Sequence, residues 1–142
     1  MKDKQRILII DDDKSLVLVA ERLLQKEGYA VITAFSGLEG LQKAQAEKPD
    51  LVILDIVMPG MEGYEVCRQL KSNALTAHTP VIVLSVKGQT DTWKGAPAVG
   101  LRETSTAFNC GANNFLTKPV AANDLLRTVK AELSFGAFLN AL

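Results

Sequence analysis

Five short runs rich in apolar and β-branched residues recur along the chain, separated by longer segments of mixed polarity. They cover residues 7–10, 30–34, 51–54, 81–85 and 114–117. Runs of this length and composition are typical of β-strands. The run at 51–54 has no alternating polar position, which indicates a strand buried on both faces, as in a parallel sheet covered by helices. The pattern therefore predicts a five-stranded sheet.

The segments outside the predicted strands carry apolar residues at helical spacing. They cover residues 14–27, 37–47, 63–71 and, after the last strand, 123–133. Asp13 is placed to cap the first helix, and Gly28 is placed to end it. Ser36 followed by Glu39 forms a capping box for the second helix. Alternating strands and helices predict an α/β fold with a parallel sheet and right-handed crossovers.

Residues 89–110 are less regular than the other helical segments. Thr90 and Asp91 can begin a helix, but two glycines and a proline between residues 95 and 100 should interrupt it. Gly111 is placed to end the resumed helix. We therefore expect a fourth helix that is interrupted by an insertion.

The C-terminal residues 134–142 form a tail with its own apolar stripe. Phe135, Phe138, Leu139 and Leu142 follow helical spacing despite Gly136. Three alternatives fit this stripe: packing on its own domain, a homodimer contact, or the start of a linker. We expect one domain over residues 1–133, followed by this tail.

Composition and charge narrow the function classes. The 142 residues contain 16 basic and 16 acidic side chains, and the pI is about 6.6, so charge does not favour direct nucleic-acid or acidic-lipid binding. No apolar stretch approaches the roughly 20 residues that cross a bilayer, and the charged N-terminus does not resemble a signal peptide. We expect a cytoplasmic protein that does not interact with membranes. Cys67 and Cys110 lack metal-ligand spacing and are interpreted as buried free thiols, and His78 as a loop residue.

Polar residues stand where the predicted strands end. Asp11 and Asp12 follow the first strand, Asp55 the third, Ser85 closes the fourth, and Lys118 follows the fifth. The carboxyl ends of parallel strands share one edge of the sheet, where ligands of open α/β sheets bind. Carboxylates brought this close raise one another's pKa unless a cation joins them. A hard divalent cation, and Mg²⁺ in particular, is therefore expected.

The same residues predict a metal site and a reaction. Asp12 and Asp55 are the expected direct metal ligands, with the backbone carbonyl of Val57 and, through water, Asp11. A carboxylate beside Mg²⁺ and a lysine has the groups that phosphoryl transfer requires. Asp55 would become an acyl phosphate, while Lys118 and the hydroxyl of Ser85 would contact phosphoryl oxygens.

Four motifs together resemble the receiver domain of response regulators in two-component signalling, over about residues 5–133. The motifs are IIDDD, LDIVMPGMEGYE, VIVLS and NFLTKPV. The resemblance implies a flavodoxin-like, doubly wound sheet of order 2-1-3-4-5 with helices on both faces. It also implies Asp55 as phosphoacceptor, Asp11 and Asp12 as the acidic pair, Ser85 as switch hydroxyl, Phe115 as switch aromatic and Lys118 as the signature lysine.

The resemblance also implies partners. A histidine kinase or histidine phosphotransfer protein would supply the phosphoryl group, and a downstream protein or output domain would read the switched face. Such a domain catalyses its own loading and unloading, and acts on no outside metabolite. Two alternatives remain: a receiver-like interaction domain that works without phosphorylation, and an Asp-nucleophile phosphatase of the haloacid dehalogenase type. The phosphatase class needs a second acid two residues after the nucleophile, where this chain has Val57.

The chain departs from the receiver pattern in two places. Val86 follows the switch hydroxyl where the family usually has Ala or Gly, and its branched side chain is expected to slow phosphotransfer or dephosphorylation. The segment between Ser85 and Lys118 is longer than is usual, with the surplus around residues 93–106. Trp93 and its neighbours either contact a partner or form a tolerated surface insertion.

Overall fold

The computed structural model describes residues 4–56, 63–86 and 110–142, of which residues 86 and 139–141 are described by their backbone alone. Within these ranges the chain forms one five-stranded parallel sheet of order β2-β1-β3-β4-β5. The strands are β1 Arg6–Ile10, β2 Ala30–Ala34, β3 Leu51–Asp55, β4 Val81–Val86 and β5 Asn114–Lys118. The predicted doubly wound fold and its strand order are therefore confirmed. Lys118 is the last residue of β5 and does not follow it.

Four described helices flank the sheet. They are α1 Lys14–Lys26, α2 Gly37–Glu47, α3 Gly63–Ser72 and the C-terminal helix Ala122–Ala141. The Asp13 carboxylate caps α1 by accepting two backbone N–H groups. Ser36 and Glu39 form the predicted capping box, with the Glu39 carboxylate reaching one residue further back to the N–H of Phe35 at 2.8 Å. Local sequence signals thus fix where α1 and α2 begin.

The strands have apolar side chains on both faces, and each face is covered by two of these helices. Leu8, Ile10 and Leu54 are buried with residues of α2 and α3, on what we call the α2–α3 face. Ile7, Ile9 and Ile53 are buried with residues of α1 and the C-terminal helix, on the α1 face. Burying a side chain of this size contributes about 1.5–3 kcal/mol. The sheet is therefore a rigid base for the polar groups at its carboxyl edge.

The C-terminal helix is longer than the predicted helix over 123–133. It continues without a break through the tail to Ala141. A single glycine costs a helix only about 1 kcal/mol, and Gly136 has open space around it, so the helix does not end there. No helix in the described part of the chain has the length and apolar content needed to span a membrane.

Two sequence predictions fall outside the described residues. The interrupted fourth helix, with the insertion around residues 93–106, belongs to 87–109, and Val57 belongs to 57–62. Three further predictions are confirmed. Cys67 and Cys110 are buried thiols that are not part of a disulfide among the described residues, and His78 is exposed in the turn between α3 and β4.

Candidate functional site

Three acids meet at the carboxyl edge of the sheet. Asp11 directly follows β1, where its N–H still pairs with the carbonyl of Ala34 at 3.0 Å, and Asp55 is the last residue of β3. Because β1 and β3 are neighbours and parallel, their carboxyl ends bring these residues together. Asp11, Asp12 and Asp55 each offer a carboxylate oxygen, and all three oxygens lie within 4.8 Å of one another. The acidic cluster predicted from the sequence is therefore present.

Lys118 supplies the positive charge of this cluster. Its Nζ lies 3.2 Å from Asp11 Oδ2 and 3.4 Å from Asp55 Oδ1. Burial alone would lower the pKa of Lys118, but the charges of Asp55 and Asp11 and the hydrogen bonds to them outweigh it, and the pKa is raised. The side chain is only 17% exposed, so water screens these contacts less than it screens a surface ion pair. The ammonium is therefore held beside both buried carboxylates at neutral pH.

Asp11 and Asp12 differ in how they are held. Asp11 is 1% exposed, and its Oδ1 accepts the N–H of Asp13 at 3.0 Å while its Oδ2 accepts from Lys118. Asp12 is exposed. Both oxygens of Asp11 thus have donors within the protein, whereas Asp12 presents its carboxylate to the solvent. This arrangement fits Asp12 better than Asp11 as a direct ligand of an incoming cation.

Ser85 lies at the carboxyl end of the neighbouring strand β4. It is one residue beyond Leu84, the register partner of Asp55, and it pairs in register with Thr117 of β5. Its side chain is fully buried, and its Oγ has no hydrogen-bond partner among the described residues. A buried hydroxyl without a partner costs free energy, of the order of 1–3 kcal/mol. An oxygen ligand that occupied the crevice would relieve this cost.

Phe115 lies on β5, three residues before Lys118. It is partly buried and packs against the core of the α2–α3 face. Alternation along the strands places Phe115 on the same face of the sheet as Ser85, while Lys118 shares the opposite face with Asp55. The structure therefore brings Asp11, Asp12, Asp55 and Lys118 together in one cluster. Ser85 and Phe115 lie on neighbouring strands, on the opposite face of the sheet from Asp55 and Lys118.

Gly63 is a site residue that sequence reasoning missed. It begins α3, and its N–H donates to the carbonyl of Ile56 at 3.0 Å. A Cβ at this position would lie 2.6 Å from the carbonyl oxygen of Asp55 and closer still to the Cα of Ile56. Helix α3 therefore packs directly on the backbone that carries Asp55. The only signal in the sequence was a second glycine shortly after Met-Pro-Gly.

The donor set fits a hard divalent cation. Carboxylate oxygens are the ligands that Mg²⁺ prefers, and the cluster offers three of them. Lys118 neutralises one of the three negative charges, so the described site retains a net negative charge. The predicted fourth ligand, the carbonyl of Val57, lies outside the described residues.

Comparison with known proteins identifies the family. Residues 7–130 match the family model of the response regulator receiver domain. The chain belongs to this family. It is thus a receiver domain of two-component signalling, as the sequence motifs predicted.

Relatives of this receiver domain include single-domain and longer proteins. Protein PilH of Pseudomonas aeruginosa is 40% identical over 131 residues, which are 91% of this chain and 98% of PilH. Protein PilG of the same organism is 35% identical, over 92% of this chain and 89% of PilG. The alkaline phosphatase synthesis transcriptional regulatory protein PhoP of Bacillus subtilis is 36% identical, and the match covers 91% of this chain but 48% of PhoP. The match to PhoP therefore leaves about half of that protein without a counterpart.

Solved structures show the same fold. The CheY-like response regulator receiver domain protein of Methanospirillum hungatei superposes with a TM-score of 0.81 at 30% identity, covering 95% of this chain and 98% of that one. The chemotaxis response regulator CheY4 of Vibrio cholerae gives a TM-score of 0.78 at 29% identity, covering 92% and 99%. Both structures have nearly the same extent as this chain.

Proposed function

We propose that Asp55 is the phosphoacceptor of this receiver domain and takes a phosphoryl group from a phosphohistidine on a histidine kinase or phosphotransfer protein. The observation that carries this proposal is the cluster itself. Three carboxylates lie within 4.8 Å of one another, and one ammonium lies 3.2 and 3.4 Å from two of them. Asp55 is the acid at the centre of the edge, at the end of a fully buried strand.

The transfer is a displacement at phosphorus. A carboxylate oxygen of Asp55 forms the new O–P bond, and the P–N bond to the donor imidazole breaks with its electron pair left on nitrogen. Charge that gathers on the phosphoryl oxygens needs positive groups and hydrogen-bond donors nearby. Lys118 supplies the positive charge beside Asp55, and the hydroxyl of Ser85 donates to one of these oxygens. The product is an acyl phosphate on Asp55.

Mg²⁺ is the proposed cofactor, held by Asp12 and Asp55 directly and by Asp11 through water. When bound, Mg²⁺ neutralises charge on the phosphoryl oxygens and lowers the repulsion between the donor and the acidic cluster. Asp11 stays fixed by the N–H of Asp13 and by Lys118, and so positions the lysine. The carbonyl of Val57 remains the proposed fourth protein ligand.

Phosphorylation is proposed to switch the face formed by β5 and the C-terminal helix. Once the Ser85 hydroxyl turns toward the phosphoryl group, Phe115 can move into the space that it leaves. Both residues lie on the same face of the sheet, and Phe115 is only partly buried, so an inward movement would bury more of its ring. A coupling of about 1–3 kcal/mol is typical of such switches and is enough to change the affinity for a downstream partner.

Intact-mass spectrometry with a small phosphodonor tests the proposal. The purified chain is incubated with acetyl phosphate and Mg²⁺, beside Asp55→Asn and the matched control Asp50→Asn at the opposite end of β3. We expect the wild type and Asp50→Asn to gain the mass of one phosphoryl group, and Asp55→Asn to gain none. A chelator should abolish the gain in the wild type.

Two outcomes would contradict the proposal. If Asp55→Asn gains the phosphoryl mass as the wild type does, the acceptor is another residue. If no variant gains it under conditions where circular dichroism shows folded protein, the chain is an interaction domain that works without phosphorylation. Hydrolysis of an added phosphate monoester, with turnover lost in Asp55→Asn, would indicate the phosphatase alternative instead.

Four further properties are proposed for this protein. They are the cytoplasmic location, the absence of direct nucleic-acid and membrane binding, the homodimer contact, and the domain boundary after residue 133.

The slowing effect of Val86 is tested by comparing the dephosphorylation rates of the wild type and Val86→Ala, where equal rates would exclude it.

A further inference from the structure

The two cysteines of the chain meet in the core of the α2–α3 face. Cys67 lies on α3 and Cys110 lies just before β5, 43 positions further along the chain. They are 0% and 3% exposed, and the Sγ of Cys67 is 3.6 Å from the carbonyl oxygen of Cys110. Both cysteines belong to the same buried core cluster. The two residues are therefore neighbours, although nothing in the sequence spacing indicates it.

The environment makes the two thiols unequal. The interaction with the Cys67 thiol lowers the pKa of the Cys110 thiol, against the opposing effect of burial. The same interaction, together with burial, raises the pKa of Cys67. The positive charge of Arg68 acts on both thiols in the direction that favours the thiolate. Because the thiolate is the reactive form, Cys110 is the nucleophile of this pair and Cys67 is the resolving thiol.

We propose that Cys67 and Cys110 are a redox modification site that closes to an intramolecular disulfide when a small hydroperoxide oxidises the protein. The Cys110 thiolate attacks one oxygen of hydrogen peroxide and breaks the O–O bond, giving a sulfenic acid and hydroxide. The sulfur of Cys67 then attacks the sulfur of Cys110, its proton is lost, and water leaves. Overall, two thiols lose two electrons and two protons, and one peroxide is reduced to two waters.

The burial of the pair limits which oxidant can act. A cysteine that is 3% exposed excludes a bulky protein disulfide, whereas hydrogen peroxide is hardly larger than water. Closing the bond requires the two sulfurs to come within about 2.05 Å of each other. Gly111, with φ +97°, gives the chain a turn next to Cys110, and a bond between the cysteines would close a covalent loop that spans 43 positions. Cross-linking a long loop restricts the unfolded chain, so oxidation should stabilise the fold.

The cross-link would connect the two parts of the domain that the candidate site uses. Helix α3 packs through Gly63 on the backbone of Asp55, and Cys110 precedes the strand that carries Phe115 and Lys118. Phe115 packs against the same core cluster as both cysteines. A disulfide there would hold α3 against the start of β5, and so restrict the core on which Phe115 rests.

The experiment titrates the full chain with hydrogen peroxide, alkylates the remaining thiols after denaturation, and measures the intact mass. In the oxidised wild type we expect a mass lower by two hydrogens and no alkylated thiol. A phosphine reductant should restore both the mass and the alkylation. At the same dose, Cys67→Ser and Cys110→Ser should form no disulfide. Peptide mapping should join the Cys67 and Cys110 peptides. The thermal unfolding midpoint of the oxidised wild type should rise above that of the reduced protein.

Three outcomes would overturn the proposal. The first is two alkylatable thiols in the wild type after a dose that fully oxidises free glutathione. The second is a disulfide that links two chains only. The third is sulfinic acid at Cys110 in the wild type at the same rate as in Cys67→Ser, since a resolving thiol should intercept the sulfenic acid. If the serine variants do not fold, Cys67→Ala and Cys110→Ala serve the same comparison, because alanine does not bury a hydroxyl group in the core.

Discussion

At the scale of single residues, the site combines acids of very different burial, and this difference leads to a prediction for Asp12. Asp11 and Asp55 are 1% and 4% exposed, but Asp12 is exposed and lies within 4.8 Å of both. Removing one of three like charges relieves repulsion that a single lysine does not cancel. In metal-free buffer we expect Asp12→Asn to raise the free energy of unfolding by about 0.5–1 kcal/mol.

The same variant should lose its response to Mg²⁺. A cation that binds only the folded state stabilises it by an amount that grows with its concentration. Thermal unfolding with and without Mg²⁺ measures both effects, and Asp50→Asn serves as a control that keeps the Mg²⁺ response. An Mg²⁺-induced shift in Asp12→Asn as large as in the wild type would show that Asp12 is not a ligand.

Residue identities alone predicted much of this site, because acids, a hydroxyl and a lysine at successive strand ends are visible in the sequence. The sequence could not show how each side chain is held. That Asp11 takes its two donors from Asp13 and Lys118, while Asp12 faces solvent, depends on the turn after β1. The meeting of Cys67 and Cys110 depends on the packing of α3 against the start of β5, which no local pattern encodes.

At the scale of elements, two helical glycines predict opposite effects of one substitution. Gly63 has the backbone of Asp55 and Ile56 where a Cβ would stand, whereas Gly136 has nothing within 4 Å. Gly63→Ala should therefore destabilise the fold by about 1–3 kcal/mol, since the backbone of β3 cannot give way easily. Gly136→Ala should stabilise it by about 0.5–1 kcal/mol, because alanine costs less entropy in a helix.

Urea unfolding of the two variants and the wild type measures both changes, and each variant is the control for the other. Gly63→Ala should also lower the extent of phosphorylation by acetyl phosphate, while Gly136→Ala should leave it unchanged. Destabilisation of equal size in both variants would mean that helix propensity, and not the contact with β3, decides the outcome at Gly63.

Element boundaries were predictable where a cap marks them. Asp13, Ser36 with Glu39, and Gly28 stand where the structure places the corresponding helix ends. The C-terminal helix was not predicted as one element: the predicted helix ends at residue 133 and the tail stripe is separate from it, whereas the structure joins them through Gly136. A propensity cost near 1 kcal/mol is small beside the packing of the buried half of that helix.

At the scale of the whole molecule, strand order and layering follow from two different sources. The repeated strand-helix pattern predicted a parallel sheet, but only the resemblance to receiver domains implied the order 2-1-3-4-5. The structure confirms that order and divides the core into the α1 face and the α2–α3 face. The sequence did not divide the helices between the faces. Each strand is buried on both sides, so its own pattern gives no information about which helix covers it.

The same view of the molecule predicts the effect of removing the tail. Along the C-terminal helix, Leu133 is 6% exposed, but Phe135, Phe138 and Leu142 are 58%, 59% and 88% exposed. Of the three alternatives for the stripe, packing on its own domain is therefore wrong for these side chains. Deleting residues 135–142 should change the thermal unfolding midpoint by no more than about 2 °C, since exposed side chains contribute little.

A second truncation provides the contrast. Ending the chain after Thr128 also removes Val129 and Leu133, which are buried in the core of the α1 face, and should leave the protein unfolded or largely so. Circular dichroism distinguishes the two truncated chains, and light scattering at rising concentration tests the homodimer. If the full chain dimerises through the exposed stripe, the chain ending at Ser134 stays monomeric and still gains the phosphoryl group. If the chain ending at Ser134 is unfolded, the domain boundary lies inside the tail, because the exposed stripe is then part of the folding unit.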